Sequence, residues 1–277
     1  MIFRELTKIS KLWLFMAGML IAPVLIAGIY QSVGADSANL EKAGPGYLPF
    51  VVGAPPAAQS YETHFTDDIV PWAARRWSAG ADYDISHNDG CDGGECGFLE
   101  IKVNNPAAYV IVSPVEPVDA PFTYKIMTRA KLLNRDDGDA YGIIFGGDGL
   151  AIDCPAADFS ICFNVYYEFR VRYRDVSGDQ YLEWKLKRVE GHDANNQNFG
   201  PDIIDWKRLD DGNADEWVKW EIEVHNNGQL YIFANNKKQA GSARDASYIQ
   251  NKHFGFLGRT SGQGGAHVLF DRFRIGQ

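Results

Sequence analysis

From Ser60 to the C-terminus, apolar and polar residues alternate with a period of two between clusters of turn-forming residues. This is the pattern of half-buried β-strands. Residues 122–133 (FTYKIMTRAKLL) read as one strand, Asn134-Arg135-Asp136-Asp137-Gly138 as a turn, and 141–145 as the start of the next strand. Within 165–173 (VYYEFRVRY), Tyr167, Phe169, Val171 and Tyr173 share one face, while Glu168, Arg170 and Arg172 share the other. The chain turns at Ser177-Gly178-Asp179. In 181–188 (YLEWKLKR), Leu182, Trp184 and Leu186 then point inward, and Glu183, Lys185 and Lys187 outward. In 217–224 (WVKWEIEV), Val218, Trp220, Ile222 and Val224 face in. Asn226-Asn227-Gly228 supplies the positive φ angles that a type I′ hairpin turn needs before QLYIFAN. HFGFLGR, a glycine-rich loop and HVLFDRFRI close the chain. Strands at this spacing, with no convincing amphipathic helix, predict an all-β domain over 59–277: an antiparallel two-sheet jelly-roll sandwich.

The first 35 residues follow a different pattern. Residues 12–30 (LWLFMAGMLIAPVLIAGIY) contain no charge over 19 positions, enough to cross a bilayer core as a helix. Arg4, Lys8 and Lys11 precede this run, and no basic residue follows it until Lys42. The positive-inside bias therefore places the N-terminus in the cytoplasm and everything after Tyr30 outside. Two readings stand. Trp13 and Tyr30 flank the run as interfacial anchors do, which favours a retained single-pass helix. Val33-Gly34-Ala35 resembles a signal-peptidase site, which favours secretion after cleavage near Ala35. No lipobox cysteine occurs in the leader. Residues 36–58 are rich in Pro, Gly and Ala and read as a linker or a docked stalk.

Composition sharpens this picture at three points. Aromatics make up 13% of the 277 residues, which suits pleated surfaces. Arg4, Lys8, Lys11 and Glu5 are the only charges in the leader, so the 27 basic and 36 acidic side chains leave 24 and 35 for the rest, a net −11. An acidic ectodomain argues against nucleic acid as a partner. The four cysteines, Cys91, Cys96, Cys154 and Cys162, all lie beyond the leader, where disulfides persist. They allow three pairings, and the local one, Cys91–Cys96 with Cys154–Cys162, staples two loops.

Several segments together resemble the concanavalin A-like lectin/glucanase sandwich, of the LamG-like kind found in bacterial envelope proteins. The residues that carry the resemblance are YETHFTDDIVPW (61–72), YGIIFGGDG (141–149), YYEFRVR (166–172), YLEWKLKR (181–188), WVKWEIEVHNNGQLYIFANNKKQ (217–239), HFGFLGR (253–259) and VLFDRFRI (268–275). They cover about 210 residues by pattern. Asn235-Asn236 stands where the family often has Asn-Gly. The resemblance implies a sandwich fold and one of three roles: sugar binding, hydrolysis or structural packing. A glucanase of this kind carries a Glu-x-Asp-x-x-Glu strand, which is absent here. The nearest look-alike, Glu221 and Glu223, shares its face with Lys219 and reads as a solvated ladder of ion pairs, which Glu168, Arg170, Arg172, Glu183, Lys185 and Lys187 extend.

Other chemistry is sparse. In HNDGCDGGECG (87–97), Asp89, Asp92 and Glu95 have the oxygen ligands calcium uses, but the alternating spacing of a calcium loop is missing. A stapled turn is the simpler reading, and no cofactor is expected beyond that weak calcium candidate. Asp136, Asp137 and Asp139 read as a solvated turn. No histidine stands in a metal-binding spacing, and no G-x-S-x-G motif occurs. Tyr166, Tyr181, Tyr231 and Phe233 fall on the alternate face of their strands, where rings stack on sugars or form an interface. Trp206 lies in a long segment, 191–213, that reads as a loop. The expected function is a non-catalytic, membrane-tethered, extracytoplasmic lectin-like module for a glycan or an envelope component. The alternatives are an accessory subunit of a membrane complex, partnered by an envelope protein, and a carbohydrate hydrolase.

Overall fold

The computed structural model describes residues 60–277 apart from 66–71, 79, 93–94, 115–116, 119, 148–164, 191–199, 211–214 and 263. The leader, the linker and the Cys154–Cys162 pairing lie outside the described residues. Among the described residues every regular element is a strand. No helix there is long and apolar enough to cross a membrane.

Fifteen strands occur among the described residues: β1 (Tyr61–Thr63), β2 (Trp72–Trp77), β3 (Tyr83–Asp92), β4 (Glu95–Val103), β5 (Tyr109–Pro114), β6 (Tyr124–Asn134), β7 (Ala140–Gly147), β8 (Tyr166–Val176), β9 (Asp179–Val189), β10 (Asp202–Arg208), β11 (Val218–Val224), β12 (Gln229–Ala234), β13 (Lys237–Arg244), β14 (His253–Arg259) and β15 (Ala266–Gly276). They form two antiparallel sheets. One, the back sheet, runs β13-β12-β11-β6-β15-β4-β3, with β1 paired to the far end of β15. The other, the front sheet, runs β10-β9-β8-β7-β14-β5-β2.

The alternation in the sequence becomes the inner faces. Tyr167, Phe169 and Val171 of β8, and Leu182, Trp184 and Leu186 of β9, meet Trp220, Ile222 and Val224 of β11 in one buried core. Aromatic contacts tie the sheets together. Phe256 of β14 stacks on Phe270 of β15 at 3.9 Å, and Phe169 meets Trp220 edge-on at 4.9 Å. The Trp220 indole Nε1–H donates to the Tyr141 hydroxyl at 2.8 Å, a hydrogen bond buried between the sheets. Tyr and Trp have a polar atom to satisfy when buried, and here each satisfies the other.

Strict alternation fails in VLFDRFRI, where Phe270 and Phe273 both point inward although three positions apart. A bulge between Asp271 and Phe273 absorbs the extra residue, and Arg272 takes φ 49° to make it. The turn chemistry also differs from expectation. At Asn226-Asn227-Gly228 only Gly228 has a positive φ, at 81°. The paired positive angles of a two-residue type I′ turn occur instead at Ser177-Gly178 (56° and 87°) and Asn235-Asn236 (49° and 66°). The dipeptide that departs from Asn-Gly thus holds that conformation with two asparagines, whose short side chains tolerate it.

Three other expectations need correction. Residues 202–208 are an edge strand on β9, not loop: Ile204 is buried in the core and Ile203 packs against it, while Asp202 and Asp205 face solvent. The charged faces of β8 and β9 do not extend the ladder on β11, because the two groups lie on opposite sheets. Asp139 is not solvated: it is fully buried, and accepts from the Asp136 amide at 2.7 Å and the Ser261 amide at 2.8 Å.

Candidate functional site

The β8–β9 hairpin sets the register of the front sheet's outer face. With Phe169, Val171 and Tyr173 committed to the core, Glu168, Arg170, Arg172 and Arg174 must project outward. Their partners on β9 are Lys187, Lys185, Glu183 and Tyr181 in turn. On the other side Arg172 pairs with Ala140 of β7, and Ala140 pairs with Arg259 of β14. Arg170 likewise pairs with Gly142. A Cβ added at Gly142 would come within 2.7 Å of the Phe169 carbonyl. Small residues on β7 therefore leave a depression between two rows of arginine.

That depression is a cleft of about 300 Å³, lined by Ala140, Arg170, Arg172, Arg174, Arg259 and Trp206 together with Ala107, Asp137, Gly138, Thr260 and Ser261. Hydrogen bonds hold the last group in place. Thr260 Oγ1 donates to the Asn105 carbonyl at 2.7 Å and accepts from the Ala108 amide at 3.0 Å. Asp139 holds the 136–139 turn against Ser261. Burial pushes its carboxyl above the ordinary value, against the pull of the two amides that donate to it.

The cleft is organised by charge. Glu168 is buried and forms an ion pair with Arg170 Nε. Burial alone would raise its carboxyl, but Arg170, Arg259 and Lys187 outweigh that and hold it below the ordinary value, so it stays ionised. Lys187 moves down in turn, chiefly because it is desolvated. Arg172 forms an ion pair with Glu183 through Nε, and Arg174 Nε lies 3.2 Å from Asp137. Arg172 also lies over the Trp206 ring, 3.7 Å from its centroid, with Lys185 Nζ at 5.0 Å. Such stacking fixes the indole at the cleft's edge.

The five aromatic positions singled out from the sequence separate in space. Trp206 lines the cleft. Tyr181 lies on the same outer face under Arg208, whose carbon lies 4.2 Å from the ring centroid and whose guanidinium grips Asp179. Tyr166 is buried on this face, in a second apolar cluster with Tyr109, Ile111, Ile144, Val189 and Leu257. Tyr231 and Phe233 belong to β12 in the back sheet. There Lys238 Nζ covers Tyr231 at 3.8 Å and His225 meets it edge-on. Near them, Lys125 bridges Glu221 at 3.0 Å and Glu223 at 2.6 Å, the ladder expected of that face.

The Cys91–Cys96 disulfide closes the β3–β4 hairpin, where these residues face each other. Asp89 is exposed beside His87 Nδ1 at 3.1 Å, and the side chains of Asp92 and Glu95 lie outside the described residues. No group of three or more His, Cys, Asp or Glu side chains able to hold a metal ion occurs among the described residues. The sequence reading missed the arginine cleft. Arg170, Arg172 and Arg174 were legible as one face of one strand, but Arg259 reaches them only through the pairing of β14 with β7.

No protein-family model matches the chain, and no curated protein does. Solved structures do. A GH16 protein of the Bacteroides ovatus mixed linkage glucan PUL, in complex with a G4G4G3G product, is 14% identical, with 78% of this chain and 99% of that one covered and a TM-score of 0.51. A legume lectin-like domain from Entamoeba histolytica is 14% identical over 70% of this chain and 89% of its own, with a TM-score of 0.48. The Emp46p carbohydrate recognition domain in its potassium-bound form is 11% identical over 77% and 91%, with a TM-score of 0.46. The chain has the concanavalin A-like jelly-roll fold that its strand pattern resembles.

Proposed function

We propose that this chain is a non-catalytic lectin-like module that binds a glycan through the outer face of its front sheet. In this reading, residues 12–30 tether it to the membrane, with the sandwich on the extracytoplasmic side. The observation that carries the reading is the open cleft beside Trp206. It combines a fixed indole with several hydrogen-bond donors, the two kinds of group that grip a sugar ring. A solved structure of this fold holds a G4G4G3G product, which fits a sugar-binding use of the scaffold.

The hydrolase alternative fits this face less well. A glycosidase needs one carboxyl with a raised pKa to serve as general acid. Glu168, buried beneath the arginines, is shifted in the opposite direction and locked to Arg170. Asp139 is shifted upward, but it is fully buried and both its oxygens are committed to the Asp136 and Ser261 amides.

The test is retention on immobilised polysaccharides, with the full chain in mild detergent. Trp206→Ala should abolish retention, while Tyr231→Ala on the back sheet should leave it intact. Equal loss from both variants, or retention that survives Trp206→Ala, would refute this placement of the site.

A further inference from the structure

Four cations around the cleft have a carboxylate in contact. Arg170 pairs with Glu168, Arg172 with Glu183, Arg174 with Asp137 and, at 3.7 Å, with Glu183, and Lys185 with Asp202. Arg259 is left over. It is partly buried, and among the described residues it makes no hydrogen bond and no ion pair within 4 Å. Burying a cation with no carboxylate in contact is costly, and pairing normally relieves the cost. Burial and the neighbouring Arg170 weaken its hold on the proton more than the attraction of Glu168, beyond contact distance, strengthens it. Arg170 and Arg172 donate to their carboxylates through Nε, which leaves their terminal nitrogens without a hydrogen bond to the described residues. Asp137 is the one carboxylate among the described residues that line the cleft, against four guanidinium groups. All this occurs in a chain of net charge −9, so the local excess of positive charge is not a general property of the surface.

We infer that the cleft takes an anionic glycan, its carboxylate or sulfate group seated between Arg259 and the terminal nitrogens of Arg170 and Arg172. This rests on the glycan-binding reading above and adds the chemical class of the sugar. Guanidinium forks match the planar, two-oxygen face of a carboxylate and the oxygens of a sulfate, with a geometry that lysine does not offer. Trp206 at the edge is placed to stack on the ring that carries the acid. A cationic cleft on an otherwise acidic chain selects a polyanion whose charges are spaced along a polymer. Nucleic acid would meet repulsion over the rest of the surface.

The experiment measures binding of the full chain in mild detergent to polygalacturonate, dextran sulfate, single-stranded DNA and a neutral mixed-linkage β-glucan. The variants are Arg259→Gln and, as a back-sheet control, Arg272→Gln. The acidic glycans should bind, the uronate arm reporting carboxylate and the dextran arm sulfate. Arg259→Gln should weaken them at least tenfold, and Arg272→Gln less than twofold. In the wild-type chain, a short galacturonate oligomer should protect Arg259 from phenylglyoxal, as read by peptide mass, so the result does not depend on the folding of a variant. Equal loss from both variants, tighter binding to DNA than to either acidic glycan, or no protection of Arg259 would overturn the inference. Binding of the neutral glucan alone would overturn it too, yet leave the glycan-binding reading standing. Binding of no polymer at all would remove both.

Discussion

The Tyr141–Trp220 hydrogen bond offers a direct test of how the two sheets are held together. Tyr141 lies on β7 of the front sheet and Trp220 on β11 of the back sheet; both are essentially inaccessible, and the 2.8 Å bond joins them across the core. Tyr141→Phe keeps the ring and its edge-on contact with Phe270. It deletes only the acceptor, so the buried indole N–H is left unsatisfied. A buried donor without a partner costs about 1–3 kcal/mol. For a domain of this size, each kcal/mol lowers the melting temperature by roughly 2–4 °C. The expected loss is therefore about 2 kcal/mol, or a fall of about 4–8 °C, measured by urea titration and thermal scans of the chain in mild detergent. Trp220→Phe removes the donor as well as part of the ring. In that background Tyr141→Phe should cost far less, giving a coupling of about 1–2 kcal/mol in a double-mutant cycle. If Tyr141→Phe changes stability by less than about 0.5 kcal/mol, or the two changes are additive within that margin, the bond does not pin the sheets.

Three further outcomes follow from particular contacts. Cys91–Cys96 closes a loop five residues apart in sequence, and chain-entropy arguments give so short a loop about 2 kcal/mol. The Cys91→Ser/Cys96→Ser variant should unfold earlier in urea by that amount, with an unchanged m-value. Glu168 has a folded pKa below the unfolded value of 4.5. Its stabilisation is present above pH 4.5 and is lost as the pH falls through the folded value. The stability gap between wild type and Glu168→Gln should thus be widest near neutrality and close below pH 4.5; a gap that does not change with pH would refute the ion-pair account. Asn236 sits at φ 66° in a type I′ turn. Asn236→Ala should therefore be about 1 kcal/mol less stable than Asn236→Gly, since both lose the same Lys219 contact at 2.8 Å and differ only in tolerance of that φ.

Much of the fold was legible because period-two patterning answers one question well: which side of a strand is buried. The inward sets of β8, β9 and β11 can be read directly from VYYEFRVRY, YLEWKLKR and WVKWEIEV, and all lie in the core. The pattern was also informative where it broke, since Phe270 and Phe273 can both be buried only if a residue bulges between them. Turn type was less legible. Asparagine and glycine both enter the left-handed region, so composition located the turns but not the residues that adopt positive φ. The strand at 202–208 was hidden because it pairs on one edge only and buries little beyond Ile204.

The functional site was harder to read for a reason that also explains its chemistry. Alternation reports inside and outside but not which sheet a strand joins. Tyr166, Tyr181, Tyr231 and Phe233 therefore looked equivalent in the sequence, although a core two sheets thick divides the first pair from the second. The same blindness merged the charges of β8 and β9 with those of β11 into one ladder. Once the sheets are assigned, the β11 ladder is balanced: Lys125 answers both Glu221 and Glu223. The β8 face is not, because pairing β14 with β7 sets Arg259 across Ala140 from a strand that already carries Arg170, Arg172 and Arg174. A surplus cation made by topology alone is invisible to any count along the chain. It is also the feature that distinguishes this outer face from an ordinary solvated one. The placement of β14 between β7 and β5, rather than any local motif, sets the charge of the cleft.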